Sequence, residues 1–155
     1  MIRHVSPYNY NVEIHGWGNW PNGLSKGIIS EDKITPNFNR AQIGPCVSEP
    51  HTHKWGFDLP ERVWKVAACG CLPIHDPVPT LRTVLPDLPM ARNPEEYGGL
   101  HLHYMVNTDA RISLANKIHD EVMSKHTYHH RLAGLFNILG WNQEATDLVS
   151  HVPNY

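Results

Sequence analysis

Two periodicities alternate along the chain. Val63, Val66, Ala67 and Gly70 fall three or four residues apart, the spacing of one helical stripe, and the stripe ends in small residues that let a helix lie close on a sheet. Cys71, Leu72, Pro73 and Ile74 follow as a short unbroken apolar run, which predicts a buried strand after a tight turn at Gly70. The run ends in His75 and Asp76. Helix-start chemistry precedes the stripe: Asp58 can cap, Pro60 stands in the first turn, and Glu61 follows Asp58 by three, as a capping box asks.

Upstream, loose alternation over 10–17, with Val12 and Ile14 on one side, predicts a strand that stops in a turn at Gly16, Trp17 and Gly18. Residues 21–29 read as a loop leading to a short edge-like strand at 27–29. Ser30 can then cap a helix through Arg40, limited in length by Pro36. A short apolar strand is predicted over 41–48, followed by a loop over 49–56. That loop supplies donors, a stacking face and backbone freedom, the properties of a ligand loop.

Downstream, 77–84 allow one short helix and 90–92 a small last strand. Asn93, Pro94 and Glu96 make a well-formed helix start, for a helix reaching about Val106 and weakened by Gly98 and Gly99. Thr108 and Thr127 can cap two further helices. Ile112, Ala115, His119 and Val122 form the stripe of the first; Tyr128, Leu132, Leu135, Phe136 and Leu139 form that of the second, which ends at Gly140. Residues 141–155 read as a polar tail. Strands alternating with helices, then helices alone, predict an α/β fold with a parallel sheet.

Composition narrows the function classes. The 155 residues suit one domain with a real core, and a formal net charge of −2 provides no global field for nucleic acid or an anionic membrane. No apolar run approaches the ~20 residues of a membrane span. The first ten residues lack the apolar core of a signal peptide, and three cysteines argue against a disulfide framework, so a cytoplasmic location is expected. No G-x-S-x-G, Walker-type loop or H-E-x-x-H occurs, which leaves nucleophilic hydrolases and NTPases without support.

The candidate chemistry gathers where a sheet would end. Ligands of open α/β sheets bind outside the carboxyl ends of the strands, and a helix opening there offers free N–H groups to anions. Arg62, two residues past Pro60, is the candidate cation for a diphosphate; the plain alternative is an i−4 pair with Asp58 or a solvated face. His51 and His53, two apart in an extended loop, would point the same way and could donate to phosphate oxygens or hold a metal weakly. His101 and His103 would diverge on a helix. Cys69 and Cys71 flank Gly70 as small residues of a tight helix-to-strand turn, and Cys46 reads as core.

Glu61–Gly70 (ERVWKVAACG), the short strand and D-x-V-P-x-L-R resemble the nucleotide-sugar-binding half of two-domain GT-B glycosyltransferases. The pattern is nearest to the CgeB-like, spore-maturation-type family, for which a bacterial or phage origin would suit. Lys125–Phe136 (KHTYHHRLAGLF) resembles the end of the same domain, so the likeness spans about 12–139. It implies a single Rossmann-like domain over 1–155, with a core of about 10–140, flanking helices and a helical C-terminal part.

The resemblance further implies a nucleotide sugar as donor substrate, no cofactor and no metal. It places the phosphates at Asp58, Glu61 and Arg62 under a loop carrying His51 and His53, and the nucleobase against the backbone around Ile29. An ordinary strand-to-helix connection explains Ile29 equally well. Lys65 departs from the pattern, because relatives carry there a Glu that binds ribose hydroxyls, and an ammonium cannot accept those bonds. The chain opens at about the first strand of the donor half, so an acceptor half is expected from a second subunit or a second copy. The alternative is a non-catalytic interaction or scaffold module built on this fold.

Overall fold

A computed structural model describes residues 11–16, 20, 25–57 and 59–152. Two parallel strands carry the architecture, β1 (Ile43–Cys46) and β2 (Leu72–His75), paired in register from Ile43 opposite Leu72 to Cys46 opposite His75. Between them run α2 (Pro50–Trp55) and α3 (Glu61–Ala68), and α1 (Glu31–Arg40) precedes β1. After β2 come α4 (Pro79–Val84), α5 (Pro94–Val106), α6 (Thr108–Lys125), α7 (Tyr128–Ile138) and α8 (Asn142–Ser150). The arrangement is mixed α/β, a short parallel sheet flanked by helices, as the alternation predicts.

The stripe on α3 does what its spacing requires. Val63, Val66 and Ala67 are fully buried, joined by Trp64. The small residue that admits the helix lies on the strand, however. A Cβ at Gly44 would sit 2.5 Å from Val66 Cγ1 and 3.3 Å from Cys71 Sγ, so only glycine lets α3 lie this close. Gly70 then turns the chain at φ +71°, a left-handed conformation that glycine adopts without strain, and β2 enters buried at all four positions. Leu72, Val78, Leu81, Leu85 and Leu88 form one core cluster with α3 and α6; Ile74, Ala91 and Tyr97 form a second.

Several expectations are corrected. The strand over 10–17 reduces, among the described residues, to one parallel bridge of Ile14 with Ser25, while Trp17 and Gly18 lie outside the described residues. No strand forms at 27–29. The last strand shrinks to a bridge between Met90 and His75, fixed by His75 N–H to the Pro89 carbonyl and Ala91 N–H to the His75 carbonyl. The stretch 142–150 is a helix where its polarity offers no signal.

Helix faces shift as well. On α6 the buried positions are Arg111, Ala115, Ile118 and Val122, with Ile112 half exposed. Arg111 turns inward because its guanidinium donates to the Tyr104 carbonyl at 3.0 Å, near the end of α5, where the helix dipole favours a cation. On α7 Tyr128, Leu132, Leu135 and Leu139 of the expected stripe are exposed, Phe136 is half-buried edge-on to Trp141, and the buried residue is Ala133, as Ala145 is on α8.

Candidate functional site at the carboxyl edge of the sheet

Because β1 and β2 are parallel and in register, the residues just beyond them emerge together. Ser48 follows β1 and Asp76 follows β2. Both the backbone N–H and the hydroxyl of Ser48 donate to Asp76 Oδ1, at 2.9 and 3.0 Å. His75 Nδ1 lies 2.7 Å from that oxygen and 2.7 Å from the Asp76 carbonyl. A carbonyl only accepts, so Nδ1 carries the proton. The second carboxylate oxygen is 2.6 Å from His53 Nε2 of α2. Asp76 thus ties both strand ends to α2, with its side chain 18% exposed and that of His53 47% exposed.

Burial lowers the His75 pKa against the opposing pull of the Asp76 carbonyl and carboxylate, so the ring is neutral. Its Nε2 is then an acceptor, sealed from solvent and without a protein partner, as is the Tyr97 hydroxyl. Burial likewise raises the Tyr97 pKa, keeping the phenol protonated. Both residues line a cleft of about 160 Å³, closed on its far side by Arg92, Asn93 and Pro94 at the start of α5.

Two helices open at this edge, and they differ in what their N-termini can offer. At α5 the helix start is already capped: Asn93 Oδ1 accepts from Glu96 N–H at 2.8 Å. The Glu96 carboxylate takes the Arg92 N–H and forks with its guanidinium, which holds the Glu96 carboxyl below its usual range. At α3 the N-cap position is held by Pro60, whose side chain has no hydrogen-bonding group to offer the helix. Arg62, exposed in the first turn, makes no ion pair among the described residues, yet its charge reaches His75 and Cys46. Burial pushes the Cys46 thiol up to about 12, with Arg62 opposing.

The predicted cap, Asp58, lies outside the described residues, so the described half of the capping box is Glu61. Its carboxylate accepts from Lys65 Nζ at 3.1 Å and from the Tyr128 hydroxyl at 2.9 Å, and these two hold its pKa down. Lys65 is accordingly paired along its own helix.

The expected ligand loop over 49–56 is corrected too, since Pro50 at the first position and Gly56 in the left-handed region enclose the short helix α2. On a helix, residues two apart diverge by roughly 200°. His53 turns to Asp76, while His51 sits 3.5 Å from Glu49 Oε2. The His51–His53 pair cannot act as a chelate. Lys54 lies over its neighbour Trp55, 4.8 Å from the ring centroid. The Thr80 hydroxyl donates to the Gly56 carbonyl and holds the end of α2 to α4. Ile29 is half-buried in the segment before α1 and shares no hydrogen bond with the Asp76 cluster.

The structure thus brings together His53 and Arg62 of the predicted set, and adds Ser48, His75, Asp76 and Tyr97. The signal for the additions is positional: Ser48 and Asp76 are polar residues placed directly after apolar strand runs. Among the described residues no group of three or more His, Cys, Asp or Glu converges as a metal site requires, and no helix is long and apolar enough to cross a membrane.

A small parallel sheet with polar side chains and an open helix start at its carboxyl edge is the ligand-binding layout of α/β domains. Residues 1–137 match the family described as glycosyl transferase-like, and the chain belongs to that family. No curated protein and no solved structure matches it.

Proposed function

We propose that this chain is a nucleotide-sugar-binding domain of GT-B type, closest to the CgeB-like, spore-maturation-type glycosyltransferases, and that it binds the diphosphate of its donor at the start of α3. The observation that carries this reading is the contrast between the two helix openings at the sheet edge. The start of α5 is filled by its own side chains and bears Glu95 and Glu96. At the start of α3 the N-cap is Pro60, which makes no side-chain cap, and Arg62 has no ion pair among the described residues. Of the two openings, α3 therefore offers an anion backbone donors together with a cation that no described carboxylate engages. Sugar transfer then requires an acceptor half in addition to this domain, and neither a metal nor a cofactor takes part.

A second reading has one observation in its favour. The position at which the resemblance expects a ribose-binding carboxylate holds Lys65, and the adjacent carboxylate, Glu61, is engaged by Lys65 and Tyr128. A domain that has lost its ribose contact could serve as an interaction module.

Calorimetry with UDP, GDP and their sugars separates the two. On the donor-domain reading a nucleoside diphosphate binds, and Arg62→Ala weakens it by about tenfold or more, the scale of a lost charge-assisted contact. Binding unaffected by Arg62→Ala would move the phosphates away from α3. Folded protein that binds no nucleotide at millimolar concentration would remove the donor-domain reading.

A further inference from the structure

We propose that α7 is a self-association surface which pairs antiparallel with α7 of a second copy of this chain. Tyr128, Leu132, Leu135 and Leu139 stand 67, 45, 49 and 52% exposed. Single exposed apolar residues are ordinary, but these four follow one another at intervals of four, three and four, the seam of a coiled coil. Ile138 beside them is 83% exposed. Ala133, the buried residue of the helix, lies off the seam, and with α8 packed on the helix these four remain about half exposed or more. The first seam residue is tied to the body of the protein through the Tyr128 hydroxyl on Glu61.

Two features point to a second copy as the occupant. First, intervals of four, three and four are palindromic about their midpoint. An antiparallel copy therefore sets Tyr128 opposite Leu139 and Leu132 opposite Leu135 on both sides of a two-fold axis, the self-complementarity that an isologous contact needs. Second, the charges complement. Tyr128–Ile138 holds Arg131 and two histidines and no carboxylate, whereas Asn142–Ser150 holds Glu144 and Asp147 and no base. The antiparallel register brings the cationic start of one α7 to the end of the other, where the acidic α8 begins.

Sedimentation velocity on the full chain over a wide concentration range tests the proposal. The expected mass rises toward twice the 17.6 kDa of one chain. Leu135→Glu should weaken association by about tenfold or more, since it buries a carboxylate against the partner's Leu132. Ile112→Glu, at a half-exposed site on α6, should leave it unchanged. The register makes a sharper demand: Leu132→Lys combined with Leu135→Glu places opposite charges face to face twice and should restore the dimer. Circular dichroism separates loss of pairing from loss of fold. A monomer at every concentration overturns the proposal, as does a dimer indifferent to Leu135→Glu or a double variant as dissociated as the single one.

Discussion

Replacing Asp76 by alanine tests whether one carboxylate holds the site together. Its Oδ1 accepts from the Ser48 N–H and hydroxyl, and its Oδ2 faces His53. Hydrogen bonds to a charged group contribute about 1.5–3 kcal/mol, and a buried donor left without an acceptor costs about 1–3 kcal/mol. Ser48 is only 9% exposed, so its N–H has little water to turn to. The His53 pair is different, because a half-exposed imidazole is screened and contributes about 0–1 kcal/mol. Overlap between these contributions leaves an expected loss of about 2–4 kcal/mol for Asp76→Ala and no more than about 1 kcal/mol for His53→Ala. Asp76→Asn should fall between the two, since an amide oxygen still accepts from Ser48. Urea unfolding followed by fluorescence and circular dichroism gives these values if the two signals coincide. Asp76→Ala as stable as the parent would refute the reasoning, and so would a His53→Ala loss equal to that of Asp76→Ala.

Two further expectations follow from packing and protonation. Gly44→Ala forces a methyl to within 2.5 Å of Val66 Cγ1 and should destabilise by about 1–3 kcal/mol, while adding Val66→Ala should recover part of that loss; additive costs in a double-mutant cycle would show that the contact is not the cause. Burial lowers the pKa of His75, His101 and His126, so the unfolded chain takes up their protons first. Their contribution is fully present above the unfolded value of about 6.5 and is lost as pH falls through the lowered folded values. Urea midpoints should therefore drop between about pH 7.5 and pH 5.5, less steeply in His75→Asn, and midpoints that hold or rise on acidification would contradict this.

How far the site can be read from the chain follows from which interactions are local. The start of α5 is legible because Asn93, Pro94 and Glu96 lie within four residues, and Asn93 does cap. The start of α3 is less legible: Pro60 takes the N-cap position, and Glu61 finds one partner nearby in Lys65 and another in Tyr128, 67 residues away. The Asp76 cluster is out of reach by sequence, since Ser48 and Asp76 are 28 residues apart and meet only through the register of two four-residue strands. Neither strand has an alternation long enough to specify that register. The helix α2 is a nearer miss, for Pro50 and Gly56 bracket it correctly, but Thr52 is its one buried residue and no apolar stripe announces it.

Periodicity has a further limit, and α6 and α7 show both sides of it. An apolar stripe states that a face is to be covered; what covers it depends on the neighbours. On α6 the face rotates by one residue to bring Arg111 to the end of α5, and α3 and β2 cover the rest. On α7 the stripe is the clearer of the two, yet Tyr128, Leu132, Leu135 and Leu139 stay about half exposed or more while Ala133 is buried. A seam this regular, at the spacing of a helix pair, is the pattern of a helix whose partner is another helix. Its palindromic spacing makes α7 of a second copy the helix that fits.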